Sequence, residues 1–190
     1  MSEFRLVPFS EENTATVLSW RNSDRVRKNM LDDSIISEES HRAFIKNLIQ
    51  DSSKKYYLVE INGMPVACIY FNGLDSKEVV WGCYIGASKP VPGLFVALFI
   101  ISLRYVFLTN KADKLLSEVA DYNLSPINLN RFAGVLKTGG SIKKTNSGRD
   151  VFYISYEVDK SSYNAVLNKC IGIVPSSIRN ALENLKVELK

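Results

Sequence analysis

Three places in this chain carry residue types that could do chemistry. The first is "YIGASKPVPGLFVALFIISLRYVF", Tyr84 to Phe107, where a turn rich in Gly and Pro runs straight into an apolar segment. A turn feeding a helix N-terminus offers N–H groups that lack intrahelical partners, at the positive end of the dipole, and so suits an anion. A helix that is apolar on nearly every side is equally well a packing element under a sheet. The second place is the basic run "WRNSDRVRKN". It reads either as a solvated face or as a contact for a small anionic ligand. The third is a pair of titratable groups. His41 shares helical spacing with Phe44, Ile45 and Leu48, so it faces either the core or a pocket wall. Glu118 interrupts an otherwise apolar strand, "KLLSEVAD", where a carboxylate is not buried without a reason.

The elements that must position these groups follow from pattern and turn chemistry. "SEENTATVLSWRN" predicts a first helix with Ser10 as its N-cap, and "SEESHRAFIKNLIQD" a second capped by Ser37, with a basic loop between them. "YYLVEI" and "PVACIYF" flank Asn62-Gly63, a hairpin signal, because that dipeptide tolerates the positive φ of a tight turn. "EVVWGCYIG" is a third strand. After the apolar helix come the strand around Glu118, a short helix "SPINLNRFAG" with Pro126 in its first turn, and two closing strands, "VLKTGGSIKK" and "RDVFYISYEV". The predicted order is therefore α, α, three strands, α, β, α, β, β. From Lys160 the chain changes character and reads as two short helices broken at Pro175.

Composition bounds the function. A chain of 190 residues, 46% hydrophobic and 23% charged, suits one globular α/β domain with an extension. The net charge of +4 is mild, and neither "WRNSDRVRKN" nor the second basic run, "GGSIKKTNSGR", reads as a nucleic-acid tract. Three dispersed cysteines without a CxxC pair, and a single histidine, argue against a metal site. No apolar run reaches the roughly 20 residues of a membrane span, and the N-terminus lacks a signal core, so a cytoplasmic protein is expected.

The element order, with a Gly-containing turn after "EVVWGCYIG", resembles the GCN5-related N-acetyltransferase (GNAT) superfamily. "SEVADYN" at Ser117 to Asn123 resembles that family's fifth-strand motif, and "NLSPINLNRFAG" keeps an N-x-x-x-I-x-L-x-x-x-x-G spacing. "WRN" at Trp20 to Asn22, then Met30, then the S-x-x-x-H-x-x-F of Ser37 to Phe44, resembles the pseudaminic-acid-pathway enzymes that acetylate UDP-linked 4-amino-4,6-dideoxy sugars. The resemblance covers about residues 4 to 158 and implies a GNAT domain over 1–159 with a helical extension over 160–190. It implies an α+β fold with a mixed, mostly antiparallel sheet, splayed fourth and fifth strands and helices on both faces.

The resemblance also implies roles. Acetyl-CoA is the co-substrate, lying between the splayed strands, and no metal is needed. Tyr84, Ile85, Gly86, Gly93, Leu94, Phe95 and Asn123 are the candidate cofactor contacts, with Asn123 alternatively a helix cap. Arg21, Met30, His41 and Phe44 map onto the nucleotide-sugar pocket. Trp81 and Tyr84 fall on opposite faces of one strand, so one lines the acceptor cleft; Tyr84 is preferred, and Trp81 is kept as a substrate contact. Glu118 is the candidate base, and backbone N–H groups near Tyr84 to Gly86 are the candidate oxyanion donors. The sequence departs from the family twice. The pyrophosphate loop, Pro90-Val91-Pro92-Gly93-Leu94-Phe95, keeps one glycine and loses two N–H donors to proline. Asn130 stands where many relatives have a tyrosine that protonates the leaving thiolate. A GNAT acting on a protein N-terminus or small amine, and a module that has lost CoA, remain alternatives; a homodimer is a further expectation.

Overall fold

The computed structural model of the chain describes residues 3–187. A strand, β1 (Phe4–Pro8), comes first, followed by a single 3-10 turn and the helices α1 (Thr14–Asn22), α2 (Asp24–Arg27) and α3 (Glu38–Gln50). The predicted basic loop thus contains a short helix, and the predicted order lacked β1. Three antiparallel strands come next, β2 (Lys54–Ile61), β3 (Met64–Asn72) and β4 (Glu78–Ile85), and then α4 (Leu94–Arg104), which widens into a π-helical turn over Tyr105–Thr109. The remainder is β5 (Lys114–Ala120), α5 (Leu124–Ala133), β6 (Leu136–Lys144), β7 (Asp150–Asp159), α6 (Tyr163–Ile173), α7 (Ser176–Glu183) and a two-residue strand β8 (Lys186–Val187).

The strands form one sheet in the order β6-β7-β5-β4-β3-β2-β1-β8, antiparallel except at β4–β5 and β1–β8. The local reasons match the residues. Asn62 and Gly63 both have positive φ, 53° and 76°, so the β2–β3 turn is the type the dipeptide favours. The Ser37 side chain accepts from the Ser40 N–H at 3.1 Å and caps α3. One sheet face buries Leu58 and Cys68 beneath Val17 of α1 and Ile45 and Leu48 of α3. The other carries the larger core, with Ile69, Phe71 and Val79 under α4.

The C-terminal helices belong to that larger core. Tyr163, Val166, Cys170, Val174, Ile178 and Leu182 are all buried in it, and Arg104 Nη1 donates to the Leu182 carbonyl at 3.2 Å. β8 then pairs in parallel with β1 and covers an edge that would otherwise be bare. No helix among the described residues is long and apolar enough to cross a membrane.

Candidate functional site

β4 and β5 pair in parallel only from Glu78↔Lys114 to Val80↔Leu116. Beyond that point the strands part, while β5 stays paired to β7 along its whole length. The gap opens into a cleft of about 470 Å³ lined by Trp81 to Ile85 from one strand and Ser117 to Ala120 from the other. Phe95 and Phe99 of α4, and Asn123, Leu129 and Asn130 at α5, close its remaining sides. The parting of the strands leaves polar backbone along both walls, which suits an extended, amide-bearing ligand taking the place of a strand.

A second cavity, of about 610 Å³, adjoins the first on the α1–α3 side of the sheet. Arg21, Met30, His41 and Phe44 all line it, with Phe9, Tyr56, Tyr70 and Tyr84 from the sheet side. The three residues of "WRN" divide the work of building it. The Trp20 indole lies against Gly86 so closely that a Cβ there would come within 1.8 Å of it. Asn22 bonds the Ile36 backbone in both directions, its Nδ2 to the carbonyl at 2.8 Å and its Oδ1 from the N–H at 2.9 Å. That pair of hydrogen bonds fixes the segment leading into α3. Arg21, between them, donates to the Asp32 carbonyl through Nη2, while its Nη1 is buried with no partner. His41 is 4% exposed, and its Nε2 also lacks a partner. Buried polar atoms are nearly always satisfied, so two orphans in one cavity mark places a ligand's polar atoms would fill. From His41 the rings run on through Phe44, Tyr56 and Tyr70, with centroids 6.2, 5.3 and 5.0 Å apart.

Burial first, and the Arg21 charge second, hold His41 below the ordinary 6.5. A lowered folded-state value means the unfolded chain takes up the proton first, so stability is present above pH 6.5 and is lost as pH falls below it. Thermal melts of the wild type and His41→Gln should therefore keep a constant gap above pH 7, with the wild type losing ground below 6.5. A gap independent of pH from 7 down to 5.5 would contradict the burial of a neutral His41. Gly86→Ala should cost about 1–3 kcal/mol in denaturant unfolding, because the indole has nowhere to go. A variant as stable as the wild type would place Trp20 elsewhere.

Much of the basic run is spent on the protein itself. Arg25 donates to the carbonyls of Ile85, Gly86 and Ala87 at 3.2, 3.0 and 3.0 Å, closing off the end of β4. Arg27 Nη1 holds the Asp33 carbonyl at 2.8 Å. The Asp33 carboxylate in turn accepts from the Ser147 N–H at 2.8 Å and pairs with Arg149, tying the β6–β7 turn to the segment that carries Met30. The Ser147 hydroxyl, which also donates to that carboxylate, and then the Ser147 N–H hold the Asp33 carboxyl well below the usual range.

No profile of a known protein family matches the chain. Acetyltransferase PseH of Campylobacter jejuni strain 81-176 is 30% identical over 128 residues, 66% of this chain and 80% of that protein. The chain belongs to the GNAT superfamily. The crystal structure of C. jejuni PseH superposes with a TM-score of 0.59 at 19% identity, over 83% of this chain and 98% of that one. Spermidine N-acetyltransferase from Vibrio cholerae, in complex with CoA and spermine, superposes at 0.77 with 14% identity, over 85% and 98%. The protein is thus a GNAT-type acetyltransferase, of a superfamily that uses acetyl-CoA. The strand edges on either side of the cleft are unpaired, and Gly93, directly before α4, has a φ of 80° that favours glycine.

Against this geometry several expected contacts change. Leu94 is in the core, 1% exposed, and its N–H already donates to Val91. Gly93 is covered by Pro175, whose Cδ would lie 2.6 Å from a Cβ built there. The Gly86 N–H donates to the Val66 carbonyl at 3.0 Å, so it is not available as an oxyanion donor; Ile85 lines the cleft and gives its carbonyl to Arg25. Trp81 stacks on Phe99 at 5.4 Å on the α4 side, away from the cavity that holds Arg21. Glu118 lies on the cleft wall but is exposed and paired with Lys143. Asn123 lines the cleft without capping α5 through its side chain. Phe95 and Tyr84 line the cleft as expected. Arg25, Tyr56 and Tyr70 were not anticipated; the alternating aromatics of "YYLVEI" and "PVACIYF" were the one signal for the two tyrosines.

Proposed function

We propose that this acetyltransferase moves acetyl from acetyl-CoA to an amino group of a nucleotide-linked, UDP-type, amino-deoxy sugar in surface-glycan biosynthesis. The observation that carries the reading is the convergence of Arg21, Met30, His41 and Phe44 on one cavity beside the strand gap. A guanidinium and an imidazole with unfilled hydrogen-bonding atoms suit a uracil or phosphate, and the aromatic rail suits a flat base or a sugar face. The relation to acetyltransferase PseH supports acetyl transfer, and the resemblance of residues 20–44 to the pseudaminic-acid-pathway enzymes supports this acceptor class. A polyamine, such as the V. cholerae enzyme was crystallised with, fits less well, because the Arg21 cation stands in the cavity. Calorimetric titration tests the two sites separately. Binding of acetyl-CoA and of UDP, each unaffected by saturation with the other, is expected. UDP failing to bind while acetyl-CoA binds would overturn the nucleotide-sugar acceptor.

A further inference from the structure

Met30, Tyr70 and Tyr84 are the residues that line both cavities. Acyl transfer requires an amine in one cavity to reach a thioester in the other, so the reacting atoms must pass this shared wall. Met30 has no proton to exchange, and Tyr84 lies across from the buried Cys68 in the β3–β4 register. Tyr70 is different. It sits opposite Gly82 in the β3–β4 register, and its hydroxyl lies where a side chain would begin, 2.2 Å from a Cβ built on Gly82. A glycine in mid-strand is costly unless something approaches the backbone there, and the Tyr70 hydroxyl is what approaches. Gly82 is two residues past Val80, the last β4 residue paired to β5. It therefore lies at the narrow inner end of the gap, where a chain threaded from the α4 end would stop. Tyr56 stacks on the Tyr70 ring with planes 13° apart and holds it in place. Elsewhere on the cleft wall, Glu118 is paired with Lys143 and Asn130 is not an acid. The Tyr153 hydroxyl and the Cys83 thiol also line the cleft, but neither lies on the wall the two cavities share.

We propose that the Tyr70 hydroxyl is the proton relay of acetyl transfer. The amine nitrogen bonds to the carbonyl carbon, and the carbon–sulfur bond breaks. Tyr70 gives its proton to the departing sulfur and takes one back from the nitrogen, so the phenol ends as it began. Burial pushes the Tyr70 phenol upward from its usual range, which keeps it protonated at rest and makes its transient anion a strong acceptor for the amine proton. Gly82 is a positioning residue for it. The proposal rests on acetyl transfer itself and uses the sugar acceptor only as a probe.

The test compares the wild type with Tyr70→Phe, which keeps the ring on Tyr56. Thiol release is followed with acetyl-CoA plus a UDP-linked 4-amino-4,6-dideoxy sugar and, side by side, with acetyl-CoA in water alone. Tyr70→Phe should lower kcat by about 100-fold or more with KM for both substrates little changed. An acetyl thioester of a more acidic thiol, which leaves without a proton, should shrink that defect to a few-fold. Gly82→Ala, which displaces the hydroxyl, should reproduce the kcat loss. A Tyr70→Phe kcat within about twofold of wild type, or a defect equal for both thioesters, overturns the relay. A wild type that hydrolyses acetyl-CoA but ignores the sugar refutes only the sugar acceptor, and the hydrolysis reaction then decides on Tyr70. A wild type with neither activity overturns the relay as well.

Discussion

A chain ending at residue 159 will not fold cooperatively, although every strand that lines the cleft would remain. Val166, Val174, Ile178 and Leu182 are each buried against α4 and its neighbours, at 6% exposure or less. Full burial of such a side chain contributes about 1.5–3 kcal/mol, so four of them rival the roughly 5–15 kcal/mol by which a domain is stable. Truncation would also bare the α4 surface they cover. Circular dichroism melts of residues 1–159 should show no sharp transition, and Ile178→Ala in the full chain should cost about 2–5 kcal/mol. A truncated chain that melts as sharply as the full one would make the helices an appendage. The same contact carries a functional consequence. Pro175 rests on Gly93, so the helices that complete the core also brace the turn before α4.

Arg21→Ala should weaken UDP binding by about 10–100-fold. Its Nη1 is buried and unpartnered in the cavity, and a hydrogen bond from a charged donor is worth about 1.5–3 kcal/mol, with 1.4 kcal/mol to each factor of ten. Nη2 anchors the guanidinium on the Asp32 carbonyl, so the fork is pre-aimed and little freedom is lost on binding. Arg21→Lys should not restore affinity, because a single ammonium cannot hold Asp32 and reach the ligand at once. Calorimetry on variants with unchanged melting temperature separates this from a folding defect. UDP affinity unaltered in Arg21→Ala would move the nucleotide to another surface.

The parts of the fold that were legible in the sequence are those set by neighbours in the chain. Asn62-Gly63 dictates its own turn, Ser37 its own cap, and the strand gap was implied by the family resemblance carried by Ser117 to Asn123. β1 was missed because "FRLVP" is five residues long and ends in proline, too short for alternation to stand out. Leu94 was read as loop because the turn and the helix share one apolar stretch; only the observed start of α4 places it in the core. The tail's helices were visible, but helical spacing does not say which core an apolar face joins. At the site, Arg21, Met30, His41 and Phe44 were found together because a short motif names them. Tyr70 over Gly82 was invisible, since the closeness arises across two strands from register alone. The spending of Arg25 and Arg27 on backbone carbonyls was invisible for the same reason.

The central claim is acetyl transfer to a nucleotide-linked amino sugar, and one steady-state assay tests it most directly. Purified protein with acetyl-CoA is offered a UDP-linked 4-amino-4,6-dideoxy sugar, spermidine, or a peptide with a free N-terminus, and thiol release is followed alongside the mass of the acceptor. The predicted result is thiol release matched by acetylation of the sugar, with kcat/KM far above that for the other two. Acetylation of spermidine or the peptide with the sugar left unmodified would contradict it.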